Sequence, residues 1–213
     1  FSAVFSGIPA FPASEIGLKL NASAKVYLVP NIKSFVGGDV AAGITAAALT
    51  KGSGPQLFVD LGTNGEIVLK KGRQLAATST AAGPAFEGMS ISCGMLAVPG
   101  AVCRAEWADG FRLHTIGGLP PHGVCGTGLI DIVALGVGHG LIEPNGRITT
   151  PDKSLRLAEG LALKQQDIRE IQLAAAAIKT GVHFMLKEFH VAVADLDKVY
   201  LAGAFGNSLD IRN

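Results

Sequence analysis

The chain has 213 residues, a formal net charge of +1, 48% hydrophobic residues and 16% charged residues. That is enough chain for one large domain or one and a half small ones around a well-packed core. The near-neutral balance shows no basic stripe or tail, and an aromatic content of 6% is poor for base stacking, so nucleic acid is excluded as an expected partner.

No apolar run approaches the roughly 20 residues that span a bilayer, and no leader peptide is visible. A cytoplasmic protein without a membrane partner is the expectation. Three cysteines, Cys93, Cys103 and Cys125, are odd in number and lack a C-x-x-C spacing. They read as small buried hydrophobes in a reducing compartment, not as a disulfide framework or a metal site. The 28 glycines fall in clusters without a repeat, which points to several tight turns. The chain starts at Phe1 and stops at Asn213 just after a strand-like segment, and reads as part of something longer.

Residues 1–23 mix Gly, Pro and Ser with scattered apolar positions and form a leading segment. Residues 26–30 read as a short buried strand ended by Pro30. Asp39 is placed to cap a small-faced, Ala-rich helix over 40–49. Residues 51–55 end it and mark a boundary, dividing the chain into 1–52 and 53–213. An antiparallel meander follows over 56–61, 66–70 and 73–79, with turns at 62–65 and 71–72. Lys70, Lys71 and Arg73 read as a solvated hairpin end. Pro84 sits where a helix would start. Residues 101–108 and 111–116 form a hairpin across Asp109-Gly110. The run from His122 to Gly128 opens a helix through about Leu135, and 138–163 are loop-rich. A long helix occupies 166–189 on a 3.6-residue apolar period, with Asp167 and Glu170 in a capping arrangement. The closing run, 199–206, is a buried strand entering a glycine turn. Strands first, then helix–strand alternation, predicts an α/β fold with a mixed sheet.

The stretch Asp60-Leu61-Gly62-Thr63-Asn64-Gly65-Glu66 between two apolar runs admits two readings. One is a plain hairpin turn, since Asn-Gly is the commonest such signal. The other is a cradle of backbone N–H groups for a small anion, with the Asp60 carboxylate beside it for a cation or water. Three more small-residue turns, at 83–88, 123–128 and 203–206, adjoin apolar runs. Those that open helices offer unpaired N–H groups to phosphate. None is a Walker A loop or a spaced dinucleotide fingerprint. Glu87 either positions a water or cation or neutralises a helix N-terminus. Glu66 reads as a surface strand residue, and Asp131 as a first-turn partner of a helix dipole. The five histidines show no metal spacing, and His122 stands out only for abutting the 123–128 turn.

Taken in order, these motifs resemble a known superfamily. Residues 60–66 are similar to a phosphate-binding hairpin of ASKHA proteins (acetate and sugar kinases, heat-shock ATPases, actin). Residues 201–206 are similar to its adenosine turn. Gly37-Gly38-Asp39 with the helix after it resembles the helix joining its two lobes. More narrowly, Ala82-Gly83-Pro84-Ala85-Phe86-Glu87-Gly88 with Gly126-Thr127-Gly128-Leu129-Ile130-Asp131 resembles the reductive activators of corrinoid proteins.

The resemblance implies an α/β, RNase H-like (actin/ASKHA-type) lobe with a mixed sheet, an antiparallel meander at its start and flanking helices. Residues 1–52 would end a first lobe and carry the connecting helix, and 53–213 would form the second lobe. The implied activity is ATP-driven return of a Co(II) corrinoid protein to Co(I), with ATP, Mg²⁺ and the corrinoid protein as ligands and partner. A 2Fe-2S cluster would lie in an N-terminal region outside this chain. Asp60 would hold Mg²⁺ or its water. Gly62, Thr63, Asn64 and Gly65 would face the phosphates, joined by the turns at Gly83, Gly126 and Gly128. Gly203, Ala204 and Phe205 would border the nucleoside, and Asp60 and Glu87 would be the catalytic carboxylates. The first phosphate hairpin of the family and any ferredoxin-like cysteine cluster are absent from these residues. Two other classes stay open: a protein-interaction module, including a homodimer, without nucleotide binding, and a small-molecule kinase relative. The kinase reading is weakened because no base sits beside an acceptor pocket.

Overall fold

The computed structural model describes residues 9–32 and 35–210. The first eight residues of the expected leading segment lie outside that range. The chain divides into two compact units, and the elements fall in order as follows. They are β1 (Phe11–Pro12), β2 (Lys25–Val26), α1 (Gly38–Ala46), β3 (Gln56–Leu61), β4 (Gly65–Lys71), β5 (Gln74–Thr80), β6 (Ala101–Trp107), β7 (Phe111–Thr115) and β8 (Gly123–Val124). Then come α2 (Gly126–Gly138), β9 (Ser154–Ala158), β10 (Leu161–Lys164), α3 (Gln165–Glu188), β11 (Lys198–Ala202) and α4 (Gly203–Gly206).

The first unit gathers the described residues up to Phe58 with Glu66–Ser79 and Met185–Tyr200. Most of a four-stranded sheet, in the order β11-β3-β4-β5, belongs to it. Its two central strands are buried at consecutive positions: Leu57, Phe58 and Val59 in β3, and Ile67, Val68 and Leu69 in β4. Such runs mark strands covered on both faces. The short links β3–β4 and β4–β5 make this the expected meander, because only antiparallel neighbours can be joined by two or three residues. The small face of α1 also serves close packing. A Cβ on Gly43 would stand 2.5 Å from the Phe58 ring, so only glycine fits there.

Four expectations are corrected in this unit. The strand expected over 26–30 ends at Val26, and Tyr27, Leu28 and Val29 are exposed. Among the described residues it pairs with the two-residue β1, which offers no face to bury it. The strand expected to be buried near 199 is the edge strand β11, with Val199 and Leu201 exposed. Of the basic turn, Lys71 and Arg73 are exposed as expected, but Lys70 is not solvated. Lys70 is 2% exposed, and its ammonium donates to the Gly52 and Gly54 carbonyls. Lys71 donates to the carbonyls of Phe189 (2.8 Å) and His190 (3.2 Å), the orphan acceptors just past α3. Asp39 likewise lies inside α1, accepting from the Val40 N–H, while Gly37 is the N-cap.

The second unit comprises Val59–Gly65, Thr80–Phe184 and the described residues from Leu201. Its sheet, β7-β6-β8, is mixed: β6 pairs β7 antiparallel and β8 parallel. The expected hairpin across Asp109-Gly110 is present. Helix α2 packs on β6 through Leu129 and Ile132, joined in one core by Val102, Val124, Leu163 and Ile168. At the far end of α2, His139 stacks on Trp107 with ring centroids 4.1 Å apart. The loop-rich segment contains an unforeseen hairpin, β9–β10, whose alternating Leu155, Leu157, Leu161 and Leu163 are buried. Asp131 lies beyond the first turn of α2, buried, and accepts the Ala105 N–H at 3.0 Å, which replaces the expected dipole role.

The start of α3 is fixed by Asp167 without Glu170. One carboxylate oxygen accepts the Lys164 N–H at the residue before the helix, half of a capping box. The same carboxylate takes the Ser92 N–H and hydroxyl, all three bonds at 2.7 Å. Glu170 instead accepts from Gln166 on the surface. Asp167→Ala is therefore expected to cost about 2–3 kcal/mol in urea unfolding, because buried donors lose a charged acceptor. Glu170→Gln should stay within about 0.5 kcal/mol.

Candidate functional site

Four chain segments of the second unit converge on one cavity of about 560 Å³. The end of β3 brings Asp60 and Leu61, followed by Gly62. The 3-10 turn Pro84–Glu87 brings Phe86 and Glu87. The start of α2 brings Gly126 and Thr127 behind Cys125, and the turn into α4 brings Gly203, Ala204 and Phe205.

Backbone shape builds much of this wall. A Cβ on Gly126 would lie 1.8 Å from the Phe86 carbonyl oxygen and 2.8 Å from the Phe205 ring. The α2 N-terminus thus sits directly on the turn at 84–87, and the Phe86 and Phe205 rings stack at 5.3 Å beside it. Gly203 has φ +83°, a left-handed conformation, and its absent Cβ would stand 2.6 Å from Asp60 Oδ1. The chain leaving β11 therefore wraps the Asp60 carboxylate as only glycine permits.

The hairpin tip is clamped to the turn at 83–87. The Gly83 N–H donates to the Thr63 carbonyl at 2.9 Å, and the Thr63 hydroxyl donates to Glu87 Oε1. The Gly62 N–H donates to the Asn64 carbonyl at 3.0 Å, closing the tip on itself.

Of the residues singled out in the sequence, Asp60, Gly62, Glu87, Gly126, Gly203, Ala204 and Phe205 line the cavity. Thr63, Asn64, Gly65, Gly83 and Gly128 do not. Thr63 and Gly83 instead hold the Glu87 side of the wall in place. Gly65 is a packing residue, since a Cβ would strike Thr80 Oγ1 and Ile178. Gly128 packs on β6, where a Cβ would come 2.3 Å from the Val102 carbonyl oxygen. Glu66 accepts from the Ser79 hydroxyl across the meander. Sequence reasoning passed over Cys103, Cys125, Thr127 and Ser208, along with the apolar Leu96 and Ile116. Cys125 and Thr127 lie inside the 123–128 turn, so their position there was the available signal.

The cysteines are free thiols. Burial, and then the nearby Asp167 charge, push Cys93 up to about 11. Burial, and then the neighbouring Cys125, raise Cys103 above the usual thiol range. Among the described residues no group of three or more His, Cys, Asp or Glu side chains is placed to hold a metal ion, and no helix is long and apolar enough to cross a membrane.

Residues 54–213 match the family model described as the C-terminal domain of RACo, the ASKHA domain. The chain belongs to this family. Residues 1–52 match the RACo middle region. A reductive activator for corrinoid, iron–sulfur protein has a solved structure similar to this chain, with a TM-score of 0.87 and 33% identity, covering 99% of this chain and 37% of that one. The corrinoid activation enzyme RamQ of Eubacterium limosum is 31% identical over 92% of this chain and 37% of its own length. The [Co(II) methylated amine-specific corrinoid protein] reductase of Methanosarcina barkeri is 32% identical over 94% of this chain and 41% of its own. The chain thus spans about two fifths of the curated relatives it matches. The α/β, ASKHA-type fold expected from the motifs is the one found.

The helix–turn contact gives a direct test. Gly126→Ala forces a methyl group into the Phe86 carbonyl and should cost about 1–3 kcal/mol or more in thermal or urea unfolding. Gly138→Ala, with nothing within 4 Å of the added Cβ, should be neutral or stabilising by up to about 1 kcal/mol.

Proposed function

We propose that this chain supplies the ATP-binding jaw of a reductive activator that returns a Co(II) corrinoid protein to Co(I). The observation that carries the reading is the convergence of Asp60, the α2 N-terminus and the Gly203 turn on one cavity, in a chain whose relatives are named as corrinoid activators.

The residues fit a nucleotide with its cation. Gly126 and Thr127 would present unpaired N–H groups and the positive end of the α2 dipole to phosphate oxygens. Asp60, wrapped by Gly203, would hold Mg²⁺ or a water bound to it, and Mg²⁺ takes few protein carboxylates when phosphates supply the rest. The cation, when bound, neutralises charge developing on the transferred phosphoryl group. Ala204 and Phe205 would border the nucleoside, with Phe86 backing the Phe205 ring. Glu87 would orient the attacking water, while Thr63 holds its other side against the hairpin tip. Phosphoryl transfer asks for positioning and charge neutralisation more than covalent help, and a rigid backbone cradle provides both.

We place the second ASKHA lobe at residues 53–213, and the end of the first lobe with its connecting helix at 1–52. A 2Fe-2S cluster as electron donor belongs to sequence outside this chain, and the corrinoid protein is the partner.

Calorimetry with Mg-ATP on the protein as its gene encodes it is expected to show binding that Asp60→Ala weakens more than tenfold, or about 1.4 kcal/mol. Unchanged affinity would favour an interaction module instead. Corrinoid reduction is checked by cobalt absorption in a mixture of the protein, an electron donor, ATP and a Co(II) corrinoid protein. ATP-dependent Co(I) is the expected signal, and its absence with every candidate partner removes the activator assignment.

A further inference from the structure

The cavity wall holds two thiols that the proposed nucleotide chemistry does not use. Their spacing follows from the sheet. In the parallel pair β6–β8, Ala101 faces Gly123 and Val102 faces Val124. The Cys125 N–H donates to the Val102 carbonyl at 3.0 Å, which extends the ladder by one residue. Cys103 and Cys125 are therefore the next neighbours in register. Adjacent strands lie about 4.8 Å apart, inside the roughly 4.4–6.8 Å between Cα atoms that a disulfide spans.

A second feature aims Cys103. Against β7, Val102 pairs with Thr115 and Arg104 with His114, so Cys103 is the extra residue of a bulge. Bulges re-aim a side chain and loosen the local ladder. Both cysteines line the same cavity. Their sulfurs make weak contacts: Cys125 Sγ with the Val102 carbonyl at 3.3 Å and the Thr127 hydroxyl at 3.6 Å, and Cys103 Sγ with the His114 carbonyl at 3.5 Å. Cys93 does not line this cavity. Cys103 is half-buried and Cys125 buried, which orders their roles.

We propose that Cys103 and Cys125 are an oxidisable dithiol that low-molecular-weight disulfides close into a bond across the cavity wall, obstructing the site. The obstruction rests on the nucleotide reading above; the bond itself does not. The Cys103 thiolate attacks one sulfur of the oxidant, giving a mixed disulfide and one released thiol. Cys125 then attacks the Cys103 sulfur, loses its proton and displaces the second thiol. Two protein S–H bonds become one S–S bond, and the oxidant leaves as two thiols carrying both electrons and both protons. Cys125 immediately precedes α2, and the Thr127 hydroxyl donates to the Cys103 carbonyl at 2.7 Å. Drawing the sulfurs together thus shifts the first turn of α2, where phosphate would bind.

The test incubates the protein, as its gene encodes it, with oxidised glutathione at mildly alkaline pH. Free thiols are then alkylated and the peptides mapped by mass. A peptide pair linked through Cys103 and Cys125, lighter than the reduced pair by two hydrogens, is expected. It should persist in Cys93→Ser, and its rate of formation should rise about tenfold per pH unit below the Cys103 pKa. Cys125→Ala should stop at the glutathione adduct on Cys103, and Cys103→Ser should give no link. Absence of the linked pair in the unaltered protein, whether Cys103 is free or glutathionylated, overturns the dithiol. Mg-ATP affinity of the oxidised protein should fall at least about tenfold and return with dithiothreitol, and Cys103→Ser should bind equally with or without oxidant. Equal affinity before and after the bond forms overturns the obstruction. A reduced protein that binds no nucleotide overturns the nucleotide reading and the obstruction with it, while the linked peptide still decides the dithiol.

Discussion

Helix α2 begins where two backbones touch, and the geometry of the second unit depends on that contact. Gly126 lies against the Phe86 carbonyl and Gly128 against the Val102 carbonyl, with no room for a methyl group at either. Those two approaches fix the axis of α2 over β6. The fixed axis lets Leu129 and Ile132 enter the core that Val102, Val124 and Leu163 share. It also delivers the free N–H end of the helix to the cavity. A side chain at either position would move the helix, loosen the core and shift the wall together, so stability and site geometry are coupled through two glycines.

A similar economy governs the polar groups. Asp167 uses one buried carboxylate to start α3 and to hold Ser92 of the loop before β6. Lys71 saturates carbonyls just past the end of α3. Thr63 and Gly83 tie the hairpin tip to the turn that carries Glu87. Each of these small groups of bonds joins segments far apart in sequence and limits a degree of freedom that core packing alone leaves open.

These contacts explain what the sequence showed and what it hid. Helix α3 was legible because burial imposes a period on its residues, β3 and β4 because covered strands read as unbroken apolar runs between turn signals, and α2 through the glycine turn that opens it. Asp60, Gly62, Gly126 and the 203–205 turn were legible because tight turns need glycine and leave a local signature. The exposure of residues 27–29 and of β11 was not, since an apolar run looks the same in a covered strand and at an edge. The buried state of Lys70 and the hold of Asp167 on Ser92 were hidden for another reason, although the capping role of Asp167 itself was legible. The carbonyls that Lys70 meets lie 16 to 18 residues away and the Ser92 donors that Asp167 accepts from lie 75 residues away, and no local pattern records a long-range partner. Gly65 and Gly128 misled in the opposite direction. A glycine spared for packing and one spared for a ligand are identical in sequence, and only the atom a Cβ would meet separates them.

A cavity built this way constrains how a cation would arrive. Asp60 is wrapped by Gly203, and Glu87 already accepts from Thr63, so few carboxylate oxygens face the cavity. No side-chain cluster among the described residues is placed to bind a metal by itself. Mg²⁺ keeps most of its waters and prefers phosphate oxygens to a protein cage. Under the proposed function, Asp60 would hold the cation together with the phosphates of the nucleotide. Charge neutralisation would then depend on a nucleotide seated against the α2 N-terminus, which is the element held by the backbone contacts at Gly126 and Gly128. The same contacts that stabilise the unit would thus set the distance between Asp60 and the phosphates, a distance that phosphoryl transfer tolerates poorly when it drifts.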